Sequence, residues 1–445
     1  MKTKITYFAI LLFALFGMSM HAQSQRDLDN YRLPDQSGVS DFEVPKDTAT
    51  TFNGLQVRLG GASTLQFQAL DHENSNDPST PVLQDIGSNF NLATANLDLD
   101  VVLYDGVRMH LRTYLSSQHH TETYVKGGYF QIDKLDFIQE GFMEDLMNHL
   151  RIKMDTFDFI EEGFLSGLSD HIRIKVGHME NNYGDAHFRR TDNAMALYNP
   201  FVGNYLMDSF TTEVGAEVYY FNKGWLGMLS LTNGKLNQAV TNPETTSPSF
   251  IAKLGYDSQL NEDFRLRLTG SVYHTNQTGS AYLYSGDRSG SRYYNVMIDV
   301  DGNGDGFRAG RINPNLRNEL TSVMINPFFK YKGLEFFGIY EHASGKAAAE
   351  SESRSWDQYS GELIYRFGPK EKIYLGGRYN YVSGTLMGGT DVSADRFQLA
   401  AGWFMTKNIL MKAEYVVQNY NDYPVTDIHS EGQFDGFMLE AAISF

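Results

Sequence analysis

Along much of this chain, apolar and polar side chains alternate residue by residue. In GQFDGFMLEAAISF, Phe437, Leu439, Ala441, Ile443 and Phe445 share one face, and Met438, Glu440, Ala442 and Ser444 share the other. Successive side chains of a strand point to opposite faces, so strict period two predicts a strand with one apolar face. LQVRLGGASTLQFQA sends Leu55, Val57, Leu59, Leu65 and Phe67 one way and Gln56, Arg58, Gln66 and Gln68 the other. ATANLDLDVVL sets Leu97, Leu99, Val101 and Leu103 against Asn96, Asp98 and Asp100. After Asp105-Gly106, VRMHLRTYL sets Val107, Met109, Leu111 and Leu115 against Arg108, His110 and Arg112. Charges of both signs on the second face suit water better than a packed core.

Turn signals divide the chain into segments of this kind. Short connections are predicted near Asp105, Lys223, Gln259, Lys332, Pro369 and Lys407. Long polar ones are predicted near 70–88, 181–210, 233–248, 276–319, 343–356, 384–393 and 419–433, with a briefer one near 118–122. Between them lie sixteen predicted strands: 54–69, 89–104, 106–117, 122–138, 171–180, 211–221, 224–233, 249–257, 262–275, 320–331, 334–343, 356–367, 371–383, 393–405, 408–418 and 433–445. Short turns at one end and long loops at the other are the asymmetry of bacterial membrane barrels. The expected fold is therefore all-β: a transmembrane antiparallel β-barrel of about sixteen strands, wide enough to hold an aqueous channel.

Composition separates this reading from a soluble β protein. No apolar run after the N-terminus reaches the ~20 residues a membrane helix needs. Aromatics make up 13% of the chain, with 27 Tyr, 30 Phe and 41 Gly, which suits interfacial belts and tight turns. The opening MKTKITYFAILLFALFGMSMHAQ places Lys2 and Lys4 before an apolar run and a small-residue cleavage site. It reads as a signal peptide, 1–22, removed in the mature protein. Without it, 35 Lys and Arg (37 minus two) face 54 Asp and Glu, a formal charge of −19 that argues against nucleic acid as a partner. No cysteine is present, which excludes a disulfide framework and a lipidated N-terminal Cys. Residues 23–53 are polar, carry Pro34 and Pro45 and lack periodicity, so they are expected to form a flexible periplasmic segment before a barrel over 54–445.

One segment breaks the rhythm. DFIQEGFMEDLMNHLRIK from Asp136 and DFIEEGFLSGLSDHIRIK from Asp158 match at an offset of 22 residues, with eleven identical positions. This duplicated insert near 136–175 is expected to be an enlarged short-turn connection, either inert or serving as a plug or docking element. Two copies are too few for a solenoid.

The second copy runs into HIRIKVGHMENNYGDAHFRRTDNA. A strand with a basic alternating face, then V-G-x-x-x-x-x-Y-G and a basic pair in an extended loop, resembles the phosphate-selective porin O/P-like family. The longer stretch resembles its Bacteroidota-type members. The resemblance is sharp over about 130–210 and at the C-terminal strand, and architectural elsewhere. It implies a sixteen-stranded outer-membrane porin, often a homotrimer, assembled by the barrel-assembly machinery among outer-membrane lipid and lipopolysaccharide.

No catalytic motif is present, so no enzyme activity is expected. Candidate pore-lining or constriction residues are Arg189, Arg190, Glu180, Asp185, His178, His187, Arg173, Lys175, Arg108, Arg112 and Arg58. The loop 181–210, folding inward, is the expected constriction. His178 and His187 beside Glu180 and Asp185 read as part of a mixed-charge passage in preference to a metal site. DVDGNGDGF matches the start of a calcium loop, with Asp299, Asp301, Asn303 and Asp305 as oxygen ligands. The twelfth position is Ile312 counted from Asp301 and Gly310 counted from Asp299, so a sensor's bidentate Glu is missing. No cofactor is expected to be required; weakly bound calcium and a solvated turn are the two readings of that stretch. The expected function is passive diffusion of small hydrophilic solutes or ions across the outer membrane. The alternatives are a plugged or structural barrel, or a barrel hydrolase.

Overall fold

A computed structural model describes residues 32–44, 46, 52–115, 123–135, 167, 170–192, 195–234, 242, 244–286 and 293–445. The first strands are β1 (Gln56–Glu73), β2 (Asn89–Tyr104), β3 (Val107–Leu115), β4 (Tyr124–Ile132), β5 (Ile172–Glu180) and β6 (Thr212–Asn222). β7 (Trp225–Thr232), β8 (Ser249–Gln259), β9 (Phe264–Thr275), β10 (Tyr294–Ile298), β11 (Gly304–Ala309) and β12 (Glu319–Tyr331) follow. The last are β13 (Leu334–Lys346), β14 (Arg354–Phe367), β15 (Ile373–Thr385), β16 (Asp391–Thr406), β17 (Ile409–Asn421) and β18 (Gln433–Ser444). All but β10 and β11 form one closed antiparallel barrel of sixteen strands. Each strand predicted from alternation has its counterpart there, with ends shifted by a few residues.

Closure comes from β1 pairing with β18, with Ala62 opposite Ser444 and Glu73 opposite Gln433. Gly61 and Phe445 exchange backbone bonds at 3.0 Å in both directions. A closed ladder leaves no strand edge, which hydrocarbon requires because it cannot solvate a backbone amide. The usual arrangement of a soluble protein is inverted. Leu97 is 46% exposed while its neighbours Asp98 and Asp100 are 5% exposed. Outward positions along the wall are largely apolar and the charged positions face inward, where buried apolar side chains such as Leu226, Met228, Ile251 and Met324 join them. Aromatic pairs mark both rims of the outer band: Trp225 with Tyr256 (5.2 Å) at the short-turn end, and Phe67 with Phe90 (5.1 Å) toward the long-loop end. Lys223-Gly224 closes the β6–β7 hairpin with positive φ at both residues (48° and 88°), the geometry of a two-residue turn that follows strand twist.

Two findings depart from the sequence reading. The loop between β9 and β12 holds the β10–β11 hairpin, which buries Tyr294, Val296, Met297 and Ala309 over the long-loop mouth. The segment expected to be a flexible tail also packs inside the barrel along its described part, 32–44. Phe42 is 2% exposed and Asp35 1%. Polar composition argued for a tail because an apolar core would not accept it, but this interior is itself polar. The predicted signal peptide lies outside the described residues. So does nearly all of the duplicated insert, including 136–166.

Candidate functional site

Loop 181–211 follows β5 and turns into the lumen. It holds a short 3-10 turn, Ala186–Arg189, and its path is fixed by side chains from the wall strands. The Asp185 carboxylate accepts two hydrogen bonds from Arg267 (both 2.8 Å) and one from Thr269 (2.8 Å), and pairs with Lys253 at 2.7 Å. Burial would raise its pKa, but the two cations hold it below the ordinary range. Farther along, Arg189 pairs with Glu335 (2.7 Å) and Glu362 (3.1 Å) on β13 and β14. Arg190 pairs with Asp208 and Asp192 inside the loop itself. Burial opposes both guanidinium charges, yet the facing carboxylates raise both pKa values. Lys412 of β17 donates to the carbonyls of Ala196, Asn199 and Phe201, and Glu414 accepts from the Val202 amide at 2.7 Å. The charged inner face of β13–β17 is thus a bed for this loop.

The loop touches the opposite wall more sparsely, with Asp192 3.2 Å from Lys126 of β4 and the Asn182 side-chain amide donating to Tyr219 of β6 at 3.2 Å. A cavity of about 180 Å³ lies between the loop and β2–β6. Arg108, His110 and Arg112 enter it from β3, Lys126 and Tyr129 from β4, and Arg173 and Lys175 from β5. Asp98 and Asp100 face it from β2, and Glu180, His187 and Phe188 close it on the loop side. Arg32, Phe42 and Glu43 of the N-terminal segment also line it.

Its charges are partly cross-linked. Asp98 accepts a forked pair from Arg112 (2.8 and 2.7 Å), and Asp100 takes Arg58 (3.0 Å) and His110 (2.7 Å). Arg173 donates to Asp133 at 2.7 Å. The Lys175 ammonium lies 5.3 Å from the Tyr129 ring and 5.2 Å from the Tyr219 ring. Six Lys and Arg line the cavity against four Asp and Glu, a surplus of two positive charges in a chain whose formal charge is −17. His187 sits against Phe188, and burial lowers its pKa, which favours the neutral ring at neutral pH.

The eleven residues expected at the constriction therefore divide. Arg108, Arg112, Arg173, Lys175, Glu180 and His187 come together around the cavity. Arg58 stands just behind, through Asp100. Asp185, Arg189 and Arg190 are held in the ion pairs that fasten the loop, and His178 bonds the Thr212 hydroxyl at 2.9 Å. Arg32, Phe42 and Glu43 were missed, because nothing in their local sequence marks them as lumenal. Lys126 had a weaker signal, two residues before Gly128 on an alternating strand.

The acidic loop residues do not converge. The Asp299 carboxylate accepts from the amides of Asp301 (3.0 Å) and Asn303 (2.7 Å), capping the β10–β11 turn. Asp305 faces away, toward His429 at 2.8 Å. Among the described residues, no group of three or more acidic or histidine side chains is arranged to hold a metal ion.

No family profile matches the chain, and no curated protein matches it in sequence. Solved structures do resemble it in shape. An anion-selective porin from Comamonas acidovorans aligns over 88% of this chain and all of its own, at 9% identity and a TM-score of 0.52. OprB of Pseudomonas putida aligns over 88% of this chain and 94% of its own, at 10% identity and a TM-score of 0.51. At such identities the likeness is one of fold.

Proposed function

We propose that this chain is an outer-membrane channel through which small hydrophilic solutes or ions diffuse passively. The observation that carries the reading is the inverted barrel with a charged cavity between β2–β6 and the inward-folded loop. An apolar outer band fits lipid and lipopolysaccharide, while a charged interior has no place in a packed core. Selectivity would arise where charged side chains meet at the narrowest part, here Arg108, Arg112, Lys175 and Glu180. The surplus of positive charge there favours anions. The resemblance over 130–210 to the phosphate-selective porin O/P-like family agrees with that sign. In this reading a signal peptide directs the chain to the outer membrane and is removed, the assembly machinery inserts the barrel, and a homotrimer forms.

Planar-bilayer recording tests the proposal. Purified, heat-modifiable protein should give discrete conductance steps, with reversal potentials in a salt gradient displaced toward anions. Folded protein that inserts and stays silent would sink the open-channel reading. It would favour the alternative, a plugged barrel, to which the filled side along β8–β18 lends support.

A further inference from the structure

We infer that residues 32–44 form a built-in strap that occludes the short-turn half of the lumen and limits passage. The inference rests on the channel reading above and names what restricts that channel.

The strap runs along the inner wall near the short-turn ends of the strands. Gln36 donates through its amide to the Lys407 carbonyl at the β16–β17 turn (2.7 Å), and Asp35 pairs with Lys407 at 3.2 Å. Ser40 donates to Glu335 of β13 at 2.8 Å. Glu43 pairs with Lys253 of β8 (2.7 Å) and Arg267 of β9 (2.6 Å). Beyond it, the Val44 carbonyl accepts from Arg173 of β5 at 2.8 Å. Thirteen residues thus follow the inner wall from β17 to β5 and end against the cavity.

The wall is shaped to receive the strap. Phe328 of β12 and Phe337 of β13 point inward and are 0% and 1% exposed. Apolar rings have no reason to face water, and here they do not. Phe42 meets Phe328 edge-on with ring centroids 5.1 Å apart, and lies 6.4 Å from Phe337. Removing the strap would open this aromatic patch to the lumen and leave Lys253 and Arg267 one carboxylate short. The strap carries Arg32 against Asp35, Asp41 and Glu43, so it contributes one positive and three negative charges, a net −2. Its loss should therefore widen the path and make it more positive.

The test compares the full chain with a deletion of 32–44 that keeps the signal peptide, and with Phe42→Ala combined with Glu43→Gln. Heat-modifiable mobility on gels establishes folding, and bilayer recording reads conductance and reversal potential. The expected result is about a twofold or larger rise in single-channel conductance with a shift toward anions. Folded variants indistinguishable from a conducting parent would overturn the strap and leave the channel reading intact. A silent parent with conducting variants would support the strap and overturn the open-channel reading. Folded variants that stay silent with a silent parent would overturn both. If neither variant reaches the folded form, the segment is a structural brace and the inference fails.

Discussion

Glu43 and Arg267 meet at 2.6 Å inside the barrel, although one precedes the first strand and the other lies on β9. Burial opposes the Glu43 charge, but Arg267 and Lys253 hold its carboxyl well below the ordinary range. A depressed acid stabilises the fold above its unfolded pKa, and that contribution is lost as pH falls toward the folded value. Glu43→Ala should therefore cost about 3 kcal/mol near neutral pH. The gap to the parent should narrow below about pH 4.3, where an unfolded Glu begins to protonate. Thermal unfolding in detergent at several pH values checks this; a gap independent of pH would place the effect in packing.

Stability and selectivity should separate along the two sides of the lumen. Lys175→Gln with Arg108→Gln is expected to raise the cation-to-anion permeability ratio about twofold. Arg189→Gln should leave that ratio alone. It should instead loosen loop 181–211, because Glu335 and Glu362 keep Arg366 and Arg378 but lose their shared tie to the loop. Reversal potentials and limited proteolysis read the two effects independently. A permeability shift from Arg189→Gln alone would move the filter into the loop.

Leu399 lies midway along β16 on the outward face and is 49% exposed. Placing Arg there should cost about 2–4 kcal/mol, the range for a cation on the lipid face near the bilayer midplane. Urea titration of barrels folded into lipid vesicles measures it. A cost near zero would mean that this face does not meet hydrocarbon.

His429 is held between Asp305 (2.8 Å) and Asp427 (2.7 Å) at the long-loop end. Burial works against its charge, but the two carboxylates push its pKa up to about 9. A raised histidine stabilises fully below its unfolded pKa of about 6.5, and the contribution is lost as pH rises through the folded value. Protease sensitivity of loop 422–432 should therefore increase between pH 7 and 10. His429→Gln should be sensitive throughout, and a pH response surviving in that variant would exclude His429 as its source.

The barrel was legible because its rule is local. Leu97, Asp98, Leu99 and Asp100 declare two faces within four residues, and a similar alternation recurs along much of the wall. β10 and β11 escaped because five- and six-residue strands cannot span a bilayer and did not belong to the wall. The loop's inward fold was anticipated, but the wall partners of Arg189 were not. Arg189 finds Glu335 and Glu362, 146 and 173 residues downstream, a pairing that no local spacing encodes. Residues 32–44 were misread for a physical reason. A polar, aperiodic segment is disqualified from an apolar core and fully at home in a charged one.

The seam between β1 and β18 joins the two most distant strands of the barrel, and the strap precedes β1 in the chain. Contacts of such long separation form late, because loop closure must precede any gain from them. The strap must therefore already lie inside when the seam zips, or thread in afterwards through the short-turn mouth. The order of events during insertion, as much as the final contacts, decides whether a barrel leaves the assembly line open or already closed.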